Sequence, residues 1–123
     1  MPKINNYEWI EFSLPSGWHE IAHQMIKECE SIDSTYTIID LKEKFGSMRV
    51  YSYCKSWYDD KEMEDYGFTI SNIEDKYEQL SSKTCCKCGK PATKVSTGWV
   101  LPWCDKCGTD EEKYYKRFKD EQN

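Results

Sequence analysis

Four cysteines at regular spacing are the residues of this chain best suited to chemistry. Cys85 and Cys88 form one Cys-x-x-Cys pair, and Cys104 and Cys107 form a second pair, separated from the first by 15 residues. Four thiolates at this spacing are typical of a tetrahedral Zn²⁺ site in which each pair forms a tight turn, or knuckle. A site filled by four sulfurs has no position for a catalytic water. We therefore expect one zinc ion with a structural role.

The other cysteines are predicted to stay outside this site. Cys86 lies inside the first pair and competes with its neighbours, but the two-residue gap of a standard knuckle favours positions 85 and 88. Cys29 and Cys54 are predicted to be buried small hydrophobic residues. The N-terminus has no signal-peptide pattern and no apolar run is long enough for a membrane span. We therefore expect a reducing cytoplasm, where metal ligation is favoured over disulfides.

Composition predicts a small domain with a modest core. The 123 residues suffice for one domain, or for one small domain with a metal-stapled appendage. Apolar residues make up 38% of the chain and the mean hydropathy is −0.86. Aromatic residues are frequent at 15%, and they serve both as core residues and as anchors for binding.

The net charge of −5 is distributed unevenly. Residues 40–55 carry four cations and two carboxylates, and residues 83–106 carry five cations and one carboxylate. Four thiolates outweigh the charge of one Zn²⁺, so metal binding would weaken the basic character of the ribbon. Strong nonspecific binding to nucleic acid needs more phosphate contacts than this. A nucleic-acid-binding zinc ribbon, with bases stacked on Trp99 and Trp103, is therefore an alternative that is not favoured.

Hydrophobic periodicity and turn signals predict the elements that position these residues. They indicate, in order, an edge strand at 7–12, a helix at 18–32, hairpin strands at 35–42 and 48–54, an acidic loop at 59–65, a helix opened by a capping box at 71–74, ribbon strands at 93–95 and 99–101, and a helix after a second capping box at 109–112. The predicted fold class is α+β. Residues 1–82 would form a helix, hairpin and helix core, and residues 83–123 a four-cysteine zinc ribbon with a C-terminal helix.

A second metal motif, H-E-x-x-H, occurs at His19, Glu20 and His23. On a helix it places two imidazoles one turn apart beside a carboxylate, as in many zinc metallopeptidases, and Glu43 would be the third ligand. The helical wheel places both histidines on the flank of an apolar stripe, and Glu43 belongs to a hairpin turn. We therefore expect two partly exposed histidines without metal and no catalysis, with a peptidase as the alternative.

Three cations flank the predicted hairpin turn, at positions 42, 44 and 49. Together they would hold a phosphate or carboxylate, since arginine supplies a fork of donors, and nearby rings would stack a base. The predicted ligand-binding residues are Lys42, Lys44, Arg49, Tyr51 and Trp99. In the alternative, Arg49 pairs with Asp40 or Glu43 on a solvated sheet surface.

Several motifs of the chain occur together in one group of proteins. These are Gly17-Trp18, the stretch Leu41–Gly46, Arg49–Tyr51, and Gly98-Trp99 between the two cysteine pairs. In this combination the chain resembles a group of uncharacterised small zinc-ribbon proteins from bacteriophages, prophages and bacteria. The resemblance covers roughly residues 17–107 and implies a fold and a mobile-element context, not a reaction. The expected function is capture, in the host cytoplasm, of a host protein or a small anionic, nucleotide-like ligand, with a role against host defence.

Overall fold

The chain folds into a helix-covered β-hairpin, followed by a small three-stranded sheet beside the cysteines. The computed structural model describes residues 5–55, 64–108 and 115–117, with side chains for 5–55 and 69–108. The elements are α1 (Glu8–Ser13), a 3-10 turn (Ser16–Trp18), α2 (His19–Ile32), β1 (Tyr36–Lys44), β2 (Ser47–Cys54), α3 (Glu64–Ser81), β3 (Lys94–Ser96), β4 (Pro102–Trp103) and β5 (Tyr115–Arg117). The predicted α+β class, with its hairpin and its clustered cysteines, is confirmed.

Two helical segments differ from their predictions. The segment predicted as an edge strand is helix α1, because Ile10 and Leu14, four residues apart, are both buried against the core. Helix α3 begins at Glu64, so the predicted capping box at 71–74 lies inside the helix. The buried face of α3 begins before that box, because Ile70 is a fully buried core residue.

The ribbon also differs in its strands. The first predicted strand overlaps β3, but the second strand is Pro102–Trp103, and residues 99–101 belong to the loop before it. The prediction of a C-terminal helix is wrong at Tyr115–Arg117, which pairs antiparallel with β3. This pairing gives the backbone groups at the second edge of β3 their hydrogen-bond partners. The rest of the predicted C-terminal helix, and residues 59–63 of the predicted acidic loop, lie outside the described residues.

The hairpin register turns one face of each strand into the core. Lys44 pairs with Ser47, which leaves a two-residue turn with φ of 53° at Phe45 and 85° at Gly46. Positive φ at both positions is the geometry of a type I′ turn. The core is shared with the helices, and its fully buried side chains include Trp18, Met25, Ile26, Cys29, Leu41, Met48, Cys54 and Ile70. The predicted burial of Cys29 and Cys54 is thus confirmed, and burial raises the pKa of each thiol to about 12.

A two-stranded sheet has two free edges, and side chains close both of them. At the β1 edge the buried amide of Asn6 donates to the carbonyl of Tyr36 over 2.8 Å and accepts from the N–H of Ile38 over 2.9 Å. The amide thus takes the place of a strand. At the β2 edge Glu78 accepts from the N–H of Val50 over 2.9 Å, and Ser81 accepts from the N–H of Met48 over 2.7 Å. Unpaired strand edges favour aggregation, so these contacts protect the hairpin.

Glu74 of α3 makes the stability of the hairpin depend on pH. Burial raises the pKa of its carboxyl, although hydrogen bonds from Ser52 and Tyr36 oppose the rise. The folded carboxyl therefore keeps its proton to higher pH than the unfolded one, and the stability that protonation contributes is lost as pH rises through the raised pKa. We expect the free energy of unfolding to fall as pH increases above the ordinary value of 4.5.

Urea denaturation across this pH range tests the assignment. Glu74→Gln should reduce the loss of unfolding free energy with rising pH. The loss that remains would come from Glu78, because burial also raises the pKa of that carboxyl. Glu28→Gln is the control, because hydrogen bonds from Tyr77 and Lys76 lower the pKa of Glu28 and its contribution to stability is lost as pH falls. An unchanged decline in Glu74→Gln would contradict the assignment.

Candidate metal centre

The sulfurs of the two Cys-x-x-Cys pairs converge. The Sγ atoms of Cys85, Cys88, Cys104 and Cys107 all lie within 4.8 Å of one another, and those of Cys88 and Cys104 are 3.6 Å apart. A tetrahedral site with metal–sulfur distances of about 2.3 Å has sulfurs about 3.8 Å apart. Among side chains that the structure describes, no other group of three or more potential ligands converges in this way. The four cysteines are therefore compatible with binding one metal ion.

Each pair forms a turn of the same design. The N–H of Gly89 donates to the carbonyl of Cys85 over 3.0 Å, and the N–H of Gly108 donates to that of Cys104 over 2.9 Å. Gly89 has φ of 82°, a conformation that glycine adopts without strain. Inside the second turn the N–H of Cys107 donates to the sulfur of Cys104 over 3.3 Å. Turns of this kind direct two sulfurs to one point.

The peptide groups of the turns also favour thiolates. Burial would raise the pKa of Cys85, but hydrogen bonds from the backbone N–H groups of Cys88, Cys104 and Lys87 lower it to about 6. The N–H of Cys107 lowers the pKa of Cys104 in the same way. Thiolates are the form of cysteine that binds metal. The backbone thus favours the thiolate form at Cys85 and Cys104, whereas the hydrogen bond with the Cys104 sulfur raises the pKa of Cys107 to about 12.

Cys86 faces away from the four sulfurs. Its side chain is 4% exposed and belongs to the hydrophobic core, where burial raises the pKa of its thiol to about 12. Its backbone joins the two parts of the chain, because its N–H donates to the carbonyl of Pro102 over 2.9 Å and its carbonyl accepts from the N–H of Gly17 over 2.8 Å. Cys86 is thus an anchor for the first turn and not one of the converging ligands.

The segment before α2 packs directly on the first cysteine turn. The indole N–H of the fully buried Trp18 donates to the carbonyl of Thr84 over 3.0 Å, and the hydroxyl of Ser16 donates to the carbonyl of Lys87 over 2.9 Å. A Cβ at Gly17 would lie 2.1 Å from the carbonyl oxygen of Cys85. The turn is therefore held by the start of α2. The domain boundary after residue 82 stays a prediction.

The predicted anion site is only partly assembled. Lys42 lies opposite Arg49 in the register, and its ammonium is 5.5 Å from the centre of the Tyr51 ring, so these three residues share the exposed face of the hairpin. The ammonium also pairs with Asp40 at 3.4 Å. Arg49 lines a groove of about 470 Å³ whose other charged residues are the α3 carboxylates at positions 75 and 78. These cations therefore already face carboxylates of the protein.

Trp99 lies apart from that face. Its indole N–H donates to one carboxylate oxygen of Glu43 over 3.2 Å, and the other oxygen accepts from the N–H of Gly46 over 2.9 Å. Glu43 alternates with Lys42 and Lys44 along β1, so its side chain leaves the opposite face of the strand. Ligand binding by the predicted set stays a prediction, and Trp99 is the member that the structure places elsewhere.

The end of the hairpin and the β3–β4 loop form an apolar surface that the sequence did not indicate. We call Phe45, Trp99 and Val100 the tip surface; they are 78%, 75% and 38% exposed. With Glu43 and Gly98 they line a cleft of about 250 Å³. Exposed aromatic residues in a cleft are typical of binding surfaces. The one available signal in the sequence was Phe45, a large residue next to Gly46 in a predicted hairpin turn, where large residues are disfavoured.

The histidine motif is used for packing and for local bonds. His19 Nε2 lies 3.0 Å from the carbonyl oxygen of Leu14, and the ring of His23 packs against that of Tyr7 at a tilt of 44°, with centroids 4.7 Å apart. Glu20 accepts a hydrogen bond from Gln24 over 2.9 Å. Glu43, the third ligand of the peptidase alternative, accepts hydrogen bonds from Gly46 and Trp99 at the hairpin turn, and among the described side chains it does not converge with the two histidines.

Comparison of the chain with protein-family models, with curated proteins and with solved structures found no match. None of the helices in the described part of the chain combines the length and the apolar character that a membrane span requires.

Proposed function

We propose that this chain is a non-enzymatic binding protein stabilised by one structural Zn²⁺ ion. The convergence of four cysteine sulfurs within 4.8 Å carries the proposal. A set of four thiolates selects zinc over hard cations such as Mg²⁺ or Ca²⁺. Four protein ligands complete a tetrahedral shell and leave no position for a substrate or an activated water. The ion would act by joining two parts of the chain.

The zinc would fix the ribbon to the core. The first cysteine turn is bonded to Gly17 and to Trp18 at the start of α2, and the second turn follows β4. One ion ligated by both turns would therefore hold the β3–β4 loop, which carries Trp99, against the end of the hairpin. A small domain with a modest core gains much of its stability from such a metal.

The partner would be a protein more readily than a nucleotide. A nucleotide would need Lys42 and Arg49 to meet its phosphate while Trp99 stacks its base, and Trp99 is bonded to Glu43 on the other side of the strand. The tip surface instead exposes apolar groups of the kind that anchor protein interfaces. In the mobile-element context that the resemblance implies, we propose a host protein in the host cytoplasm as the partner.

Native mass spectrometry of the protein purified from cells tests the metal and the class of function together. We expect one zinc ion per chain, retained in the native state and lost on unfolding with a chelator. Cobalt substituted for zinc should give the absorption of a tetrahedral tetrathiolate centre. Two zinc ions per chain, or one ion that survives removal of the cysteine ligands, would contradict the proposal and direct attention to His19 and His23.

A further inference from the structure

Phe45 adopts a backbone conformation that folding alone does not favour. It has φ of 53° in the type I′ turn, where asparagine, aspartate and glycine are preferred and a bulky residue is an outlier. Its ring is 78% exposed, so burial does not compensate for this strain. Strained, exposed residues occur at functional sites more often than elsewhere. The turn therefore presents an aromatic ring at some cost in stability.

Trp99 and Val100, the other residues of the tip surface, are held in place in the unbound protein. Trp99 is fixed by its indole bond to Glu43, and the hydroxyl of Ser96 donates to the carbonyl of Trp99 over 2.5 Å. Val100 packs on the hairpin turn, since its Cγ1 lies 3.1 Å from the position of a Cβ on Gly46. A binding surface that is already ordered loses little entropy on association. The rings are thus presented in a fixed geometry.

One exposed cation, Lys44, lies beside the tip surface. It stands at the end of the hairpin, and its ammonium is 5.6 Å from the centre of the Phe45 ring. Lys42 and Arg49 lie on the other face of the hairpin from Trp99, where they face carboxylates of the protein. The carboxylate of Glu43 is already engaged by two hydrogen bonds. Residues 97–101 carry no charge, in a chain whose net charge is −5. The charge available to a partner beside the tip surface is therefore that of Lys44, whose electrostatic complement is a carboxylate.

We propose that the tip surface is a docking site for a segment of a partner protein that carries an apolar anchor side chain beside a carboxylate. The anchor would enter the cleft between Phe45 and Trp99, and a carboxylate beside it would meet Lys44. The proposal rests on the proposed function, because it names the surface and the chemistry by which a zinc-stabilised binding protein recognises its partner.

Peptide display tests the surface without knowledge of the partner. A random dodecapeptide library is selected on zinc-loaded protein and depleted on the Trp99→Ala variant. We expect the enriched peptides to combine a carboxylate with an aromatic or large aliphatic residue. Measured by fluorescence anisotropy, synthetic versions should bind Trp99→Ala at least roughly tenfold more weakly than the unmodified protein. They should also bind Lys44→Glu more weakly than the unmodified protein. Their affinity should fall with added salt.

Matched variants elsewhere on the chain supply the controls. Phe12 is 72% exposed on α1 and Lys27 is exposed on α2, so Phe12→Ala and Lys27→Glu should bind the same peptides with unchanged affinity. Basic enriched peptides, or no enrichment over Trp99→Ala, would overturn the proposal. So would binding of a deoxythymidine oligonucleotide that is lost in Trp99→Ala. Native mass spectra of each protein distinguish failure of the proposed function from failure of the docking site. Absence of zinc would contradict the proposed function. Zinc binding without peptide binding would contradict only the docking site.

The strain at Phe45 gives an independent readout. Phe45→Asn should raise the midpoint temperature of unfolding, since asparagine suits positive φ, and should weaken binding of the selected peptides. A stabilised variant with full affinity would remove Phe45 from the site. A destabilised variant would show that the ring supports the fold, which would overturn its assignment as a binding anchor.

Discussion

Cys85→Ser is expected to abolish zinc binding and to unfold the ribbon. A serine hydroxyl does not supply the thiolate that the site needs, and Cys85 is fully buried at the contact between the first turn and the start of α2. Zinc binding at such sites has an apparent free energy of about 10–16 kcal/mol, which is part of the folding free energy. Native mass spectrometry should find no zinc, and circular dichroism should show a lower unfolding temperature.

Cys86→Ser is the matched control for this prediction. The neighbouring side chain lies in the core, so the variant should keep its zinc ion. It should still lose about 1–3 kcal/mol of stability, because a hydroxyl replaces a buried thiol among apolar side chains. Zinc lost in Cys86→Ser and retained in Cys85→Ser would reverse the ligand assignment, and zinc retained in both would exclude the four-cysteine site.

Hydrophobic periodicity predicted the elements that are long enough to show several repeats of the pattern. The fourteen residues of α2 show one apolar stripe, and the paired strands of the hairpin alternate around a glycine turn. The segment 7–12 is too short to distinguish the two-residue period of a strand from the 3.6-residue period of a helix. Its alternation indicated a strand, although Ile10 and Leu14 have helical spacing. The cysteine pairs needed no periodicity, because their spacing alone implies that two sulfurs of each pair face one point.

The contacts between distant segments could not be read from the sequence. The amide of Asn6 completes the edge of β1, and Glu78 completes that of β2, only because the register brings particular N–H groups to those edges. The same holds for Trp99 and Glu43, which are 56 positions apart. Alternation along a strand predicts a shared face for Lys42 and Lys44, and only the register places Arg49 on that face as well. Alternation holds no information on which side of the hairpin the β3–β4 loop would pack.

Gly17→Ala is expected to cause a large loss of stability, although it adds only one methyl group. The added Cβ would lie 2.1 Å from the carbonyl oxygen of Cys85 and 2.6 Å from the carbonyl carbon of Cys86. These are backbone atoms of the first cysteine turn, so no flexible side chain can yield. The turn would have to move, and the bond from the N–H of Gly17 to the carbonyl of Cys86 would break. Overpacking and the lost bond together should cost about 3 kcal/mol.

The measurement is urea denaturation of zinc-loaded Gly17→Ala beside Ser16→Ala, which removes only an exposed hydrogen bond from the same segment to the carbonyl of Lys87. Ser16→Ala should lose less than about 1 kcal/mol. Because the first turn holds two of the converging sulfurs, Gly17→Ala should also release zinc to a chelator faster than Ser16→Ala does. Equal stability and equal zinc release in the two variants would mean that the contact at Gly17 does not couple the metal centre to the hairpin core. That coupling would then rest on the buried side chains of Trp18 and Cys86.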